Sequence, residues 1–592
     1  MAKKKLSGIP VSVGISIGRA FRLSREHYCL ASMQTISEDL IQHEIQRLNN
    51  AFESALEGLR QIRSRIPSEQ TEHAAIIDTH IVILQDPKLR SATERYIRDM
   101  KLNAEWALEK GVAEIEGAFQ GVEDEYFQAR VEEVRLLAQR VMSHLLGNHD
   151  IVKPITTRVI LIAHNLTPAD TVELDVSKIM AFATEQGGKT SHVAILARTL
   201  EIPAVVGVEG LEELVEDDEF LIVDGFRGQI VIDPSEKELT HYTDLKYQFE
   251  AYRKEVMRHR HLPSETVEGY QINLLANIEL FEEVSAVIDY AGNGIGLFRT
   301  EYSYLHRSIL PTEQELFEEY RDMASIMYPR RVVIRTLDAG GDKIGKGFEV
   351  LEEANPVLGL RAVRFCLRNR EMFKVQLRAI LRAGVVGNIS LMFPMISGAG
   401  ELREAKKALE EAKQELLDRN EVFAPDLAVG IMIELPSAVM IADILAREVD
   451  FFSIGTNDLI QYSLGIDRTN RYVSQLYQPL HPALIRSIKY VVDAGHRAGI
   501  EVSMCGEMAS DPYCLPVLIG MQVDSLSLNP QSIPGIKRIM RKLTMEECLA
   551  LLKHVLESDS VTRSNKLVRS TIFARFPEEL MFYTSMLESE EE

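Results

Sequence analysis

"DFFSIGTND", residues 450–458, is a short apolar run of β-forming residues that breaks at a glycine into an amide and a carboxylate. The same layout recurs through the second half of the chain. Its runs are INLLANI (272–278), GIGLF (294–298), RVVIRTL (331–337), ISLMFP (389–394), LAVGIMI (427–433), DFFSIG (450–455), IEVSMCG (500–506) and VDSLSL (523–528), mostly separated by helical patterns. Eight strand–helix units in about 300 residues predict a (β/α)8 barrel. In that fold the strand C-termini converge on one mouth, so the polar residues there are the candidate site. They are Arg299, Thr300, Glu301, Arg335, Asp338, Glu434, Asn457, Asp458, Cys505 and Glu507. Arginines imply an anionic substrate, because a planar guanidinium matches carboxylate and phosphate. Glu434 and Asp458, with Asn457 nearby, are hard oxygen ligands suited to Mg²⁺ held together with a substrate oxygen. Cys505 at such a mouth can be an acid, a nucleophile or a small buried filler.

Upstream the texture differs. Residues 7–20, SGIPVSVGISIGRA, alternate apolar and small residues like a short strand or hairpin. From Ser37, a candidate N-cap, to about Leu146 the pattern is helical, with Ile41, Ile45, Leu48, Phe52, Leu56 and Leu59 on one stripe, which predicts a helical bundle. From Val159 short β-rich runs alternate with helical stretches, predicting a compact α/β unit that recruits the early strand material and makes the bundle an insertion. Residues 235–262 are charged and helical and suit a linker helix.

The α/β unit contains EQGGKTSHVAILAR, residues 185–198. Gly187 and Gly188 permit a tight turn, and Thr190 or Ser191 is a candidate N-cap. His192 then sits in the first helical turn, where free N–H groups favour an anion and disfavour imidazolium. The same pattern also fits a capped helix whose histidine merely packs.

The chain has 592 residues, too many for one hydrophobic core, so three or four domains are expected. A formal charge of −22 argues against nucleic acid or an anionic membrane as partner and leaves room for a basic protein. No signal peptide and no spanning helix is read, so no membrane insertion is expected. Five scattered cysteines suit a reducing cytoplasm and no structural zinc. GGDKIGKG (340–347) has phosphate-loop spacing up to its lysine, but Gly347 stands where the hydroxyl belongs, and a nucleotide site is rejected there.

GGKTSHVAILAR and DFFSIGTNDLIQYSLGIDRTN, with GLFRTEY, LPTEQE, RTLDAGGDK, NPVLGLRA, MFPMI, IELPSA, YQPLHPA and MCGEMA between and after them, resemble the enzyme I family of the bacterial phosphoenolpyruvate-dependent sugar phosphotransferase system. The resemblance runs from about Gly8 to about residue 570. It implies that His192 is phosphorylated from phosphoenolpyruvate, that Arg299 and Arg335 bind the substrate phosphate, and that Arg361 and Arg468 are further anion contacts. It also implies that Glu434 and Asp458 hold Mg²⁺, that Asn457 contacts substrate and that Cys505 protonates the enolate to give pyruvate. The bundle would dock the small carrier HPr, and the barrel would make a homodimer.

The expected division is 1–34 and 149–234 for a phosphohistidine α/β domain, 35–148 for the inserted HPr-binding bundle, 235–264 for the linker helix, 265–575 for the phosphoenolpyruvate-binding barrel and 576–592 for an acidic tail of no assigned function. Dikinase-like phosphoenolpyruvate enzymes share the histidine domain and barrel, but they need an ATP-binding domain that the mostly helical first 150 or so residues do not supply. A paralogue of the nitrogen branch stands as the alternative: it usually carries an extra N-terminal sensory domain, which is not read here, but one sequence does not fix the carrier pairing. A non-catalytic scaffold is disfavoured by the full set of site residues.

Overall fold

The computed structural model describes residues 4–23, 34–65, 71–119, 125–146, 155, 157–166, 174, 176–188, 192–304, 310–340, 355–467, 470, 472–473 and 476–580. The chain divides into two compact units, Met1–Gln248 and Phe249–Glu592.

The first unit holds a mixed sheet of eight strands: β1 (Lys4–Ser7), β2 (Ile9–Ser12), β3 (Ile15–Arg22), β4 (Val159–Ala163), β5 (Ile179–Thr184), β6 (Ala204–Val206), β7 (Phe220–Asp224) and β8 (Gln229–Ile232). Their order is β1-β8-β7-β3-β4-β5-β6-β2. The early residues therefore do not close a hairpin on themselves. β2 pairs with β6, β1 with β8, and β3 lies between β7 and β4. The pleat explains why so much of this sheet is apolar. Ile160 and Ile162 face one buried layer, while Val159, Leu161 and Ala163 face the other, where Val193 and Ala197 of the helix His192–Thr199 pack.

Between β3 and β4 the chain makes the bundle, from helices Ile41–Arg65, Thr71–Gln85, Pro87–Met100, Ala104–Phe119 and Glu125–Leu145. Ile45, Leu48, Phe52, Leu56 and Leu59 form the buried stripe of the first helix. Ser37 precedes a 3-10 turn, Glu38–Leu40, and makes no side-chain cap, because that turn delays the helix to Ile41. Asp86 caps the helix that starts with Pro87, accepting from the Lys88 N–H.

The second unit is a closed parallel barrel of β9 (Asn273–Ile278), β10 (Ile295–Arg299), β11 (Val332–Arg335), β12 (Ile389–Phe393), β13 (Ala428–Ile433), β14 (Phe451–Ile454), β15 (Glu501–Met504) and β16 (Ser525–Leu528). Each strand falls within or beside its predicted run. Alternation again sorts the side chains: Phe298, Ile334, Leu391, Ile433 and Phe452 pack under the outer helices, while Leu297, Val333, Met392, Met432, Phe451 and Cys505 form a separate cluster that fills the interior. Gly430 is part of that filling, since a Cβ there would lie 2.4 Å from the Phe451 ring. The helix Glu236–Arg258 joins the two halves of the sequence. Its Tyr242 packs on Ile15, Ile222 and Val231, and its Glu255 pairs with Arg538 at 3.0 Å.

Candidate active site

β10 and β11 are parallel neighbours, and their last residues, Arg299 and Arg335, stand opposite each other in the register. Two guanidinium groups therefore rise side by side at the C-terminal rim of the barrel. Arg335 is buried, with its two terminal nitrogens 3.0 Å from Glu301 Oε1 and 2.8 Å from Asp338 Oδ2. Glu301 Oε1 also accepts the Asp338 N–H at 2.8 Å, which fixes the turn after β11. Arg299 pairs with Glu279, just beyond β9. Arg361, at the start of the helix Ala362–Arg368, donates to Asp338 Oδ1 at 2.8 Å and lies 3.8 Å from Asp458 Oδ2. Burial works against the charge of Arg335 and Arg361, yet Glu301 and Asp338 beside the first, and Asp338 and Asp458 beside the second, hold both protonated. Burial likewise raises the Asp338 carboxyl, but Arg335, Arg361 and Arg299 outweigh it and hold the group below its ordinary value.

Three carboxylates converge beside these arginines. One ligand atom each from Asp338, Glu434 and Asp458 can be chosen so that all lie within 4.8 Å of one another. Glu434 follows β13, is 2% exposed and accepts the Met395 N–H through Oε1 at 2.5 Å. Burial, and then the negative charges of Asp338 and Asp458, push its carboxyl well above the ordinary range. A buried, mutually repelling set of hard oxygen donors fits a divalent cation, whose charge would relieve that repulsion.

Across the mouth, Asn457 opens towards the next strand end: its Oδ1 accepts the Glu507 N–H at 2.8 Å. Cys505, just beyond β15, is buried, and Asn277 donates to its carbonyl at 2.9 Å. Burial pushes its thiol up to about 11, so it carries its proton at neutral pH. Gly506 is required by close approach, because a Cβ there would lie 1.7 Å from Thr456 Oγ1. Thr456 thereby seats the Cys505–Glu507 turn against the start of the Asn457 helix.

The barrel thus assembles Arg299, Arg335, Arg361, Glu434, Asn457, Asp458 and Cys505 at one rim. Asp338 is the residue whose part the sequence reading missed. It was visible at the strand end, three positions after Arg335, but its contact with two arginines and two carboxylates arises only on folding. His192 belongs to the other unit, where it is the first residue of its helix. Its side chain, Thr190, Ser191, Arg468, residues 341–354 (with all but the first residue of the rejected phosphate loop), Cys29 and the tail after residue 580 lie outside the described residues. The four described cysteines, Cys366, Cys505, Cys514 and Cys548, are free and buried. Among the described residues no helix is long and apolar enough to cross a membrane.

The parallel barrel with paired arginines beside a carboxylate cluster, in one chain with an α/β domain, is matched by the models of PEP-utilising enzymes. Residues 253–545 match the family of PEP-utilising enzymes, PEP-binding domain; residues 155–228 match its mobile domain, and residues 7–130 its N-terminal domain. The chain is 41% identical over 572 residues to a phosphoenolpyruvate-protein phosphotransferase of Geobacillus stearothermophilus, covering 96% of this chain and 98% of that one. It is 39% identical over 568 residues to the protein of that name from Listeria monocytogenes, covering 95% and 99%. The chain belongs to the phosphoenolpyruvate-protein phosphotransferase family.

Proposed function

We propose that the protein transfers the phosphoryl group of phosphoenolpyruvate to its own His192 and then to a histidine of an HPr-like carrier, releasing pyruvate. The observation that carries this reading is the pairing of Arg299 and Arg335 at adjacent strand ends beside buried carboxylates. Phosphoryl transfer needs in-line positioning and charge neutralisation more than covalent help. Arg299 and Arg335 bind the phosphate, with Arg361 and Arg468 as further anion contacts. Asn457 orients the substrate. Glu434 and Asp458 hold Mg²⁺, and the Asp338–Glu434–Asp458 donor set supports that choice. When bound, Mg²⁺ supplies positive charge for the substrate oxygens. The imidazole of His192 attacks phosphorus and the enolate leaves. Cys505, protonated at neutral pH, gives its proton to the methylene carbon.

On this reading residues 1–34 and 149–234 carry the nucleophile, 35–148 dock HPr, 235–264 link, and 265–575 bind substrate and form the homodimer of a cytoplasmic enzyme. Incubating the protein with phosphoenolpyruvate, Mg²⁺ and HPr should give phosphorylated HPr and stoichiometric pyruvate. Pyruvate release that needs ATP, or HPr that stays unmodified, would overturn the reading.

A further inference from the structure

A second group of metal-ligating side chains lies in the α/β domain, in the other unit from the barrel mouth. His164 follows β4 and Glu185 follows β5, parallel neighbours whose register ends at the Ala163–Thr184 pair. Past that pair the backbones stay tied. The Glu185 N–H donates to the Ala163 carbonyl at 3.1 Å, and the Gln186 N–H to the His164 carbonyl at 2.8 Å. The third residue, Glu212, sits in the short helix Leu211–Leu214, and its N–H donates to Glu185 Oε1 at 2.9 Å. Three elements thus present one imidazole and two carboxylates, with a ligand atom of each within 4.8 Å of the other two.

An ion pair explains the shortest contact, His164 Nδ1 to Glu185 Oε2 at 2.7 Å. It leaves Glu212 unexplained, because a second carboxylate with an oxygen within 4.8 Å is repelled by the first. A dipositive ion resolves all three. We propose that His164, Glu185 and Glu212 form a binding site for a first-row divalent transition ion, of which Zn²⁺ is the best match. Imidazole with two carboxylates and a water is a tetrahedral zinc donor set, whereas Mg²⁺ prefers oxygen alone. The pinned backbones hold the ligands in place before the ion arrives, and the half-exposed His164 side chain leaves an entry path. The bound ion ties the ends of β4 and β5 to the helix Leu211–Leu214, immediately before the Gly187–Gly188 turn that leads to His192. The site stands independently of the phosphotransferase reading.

Calorimetric titration of Zn²⁺ into the full chain, in excess Mg²⁺ to fill hard-oxygen sites, tests this. A tight Zn²⁺ equivalent should bind to the parent and equally to Asp458→Asn. Its affinity should fall at least about tenfold in both His164→Gln and Glu212→Gln. Co²⁺ in place of Zn²⁺ should give visible absorption bands that both variants lose. Unchanged affinity in either folded variant, or no Zn²⁺ bound by the parent, would overturn the proposal.

Discussion

Arg299 and Arg335 are neighbours because two parallel strands end in register, and their chemistry is set by the acids around them. The same holds for Cys505 and Glu434, whose roles depend on where their protons are. A thiol pushed up to about 11 is a proton donor and a poor nucleophile at neutral pH. Cys505→Ala should therefore slow pyruvate formation by ~10²-fold or more, as loss of a general acid does, in an assay coupled to pyruvate reduction. An unchanged rate would return Cys505 to the interior packing cluster it shares with Met432 and Phe451. Glu434 gives a pH dependence. Burial and its acidic neighbours raise its carboxyl, and ligation requires the carboxylate, so on the proposed function Mg²⁺ competes there with a proton. Affinity for Mg²⁺ should fall as pH is lowered, with proton release visible as buffer-dependent heat of binding. Binding heats that are independent of the buffer would count against Glu434 as a ligand.

At the scale of elements, periodicity made the strands and the first bundle helix legible, because apolar residues at every second or every third to fourth position leave few alternatives. Strand ends were legible as a site for the same reason: a barrel puts them together whatever the loops do. Partners were not legible. Glu279, Glu301 and Asp338 meet their arginines through contacts that register and burial create, and no spacing announces which acid will face which base. Arg47 is a second example. From the helix Ile41–Arg65 it bonds Glu44 at 2.8 Å, Glu105 at 2.6 Å and the Leu145 carbonyl at 3.2 Å, joining three helices through two buried carboxylates. Arg47→Ala should cost the bundle about 2 kcal/mol, the range for hydrogen bonds to charged groups, measured by denaturant unfolding. Burial raises Glu44, but Arg47 and the Ala104 N–H more than reverse this, so its folded-state carboxyl titrates below the unfolded one. That contribution is present above the unfolded value and is lost as pH falls through the folded one, so parent and variant should converge in stability in acid. A variant as stable as the parent at neutral pH would show the network to be idle. Gly506→Ala tests another junction. The added Cβ has Thr456 Oγ1 at 1.7 Å and Thr456 N at 2.8 Å, so the turn must move, at roughly 1–3 kcal/mol of overpacking. Activity should drop with it, since Cys505 and Glu507 flank the glycine. A fully active variant would show that the turn tolerates displacement.

The whole molecule divides its chemistry between two compact units: the first contains His192, and the second contains the arginines, the carboxylates and Cys505. On the proposed function, substrate binding and nucleophile belong to different cores, and transfer needs the two units to meet during the reaction cycle. The first 34 residues contribute three strands to a sheet completed more than a hundred residues later, which makes the domain that holds His192 dependent on both sides of the bundle. Incubation of the full chain with radiolabelled phosphoenolpyruvate and Mg²⁺, followed by peptide mapping, tests this account most directly. One acid-labile, base-stable phosphoryl group should appear on the peptide containing His192, and none on the folded His192→Ala variant. Label on any other residue, or full labelling of the variant, would contradict it.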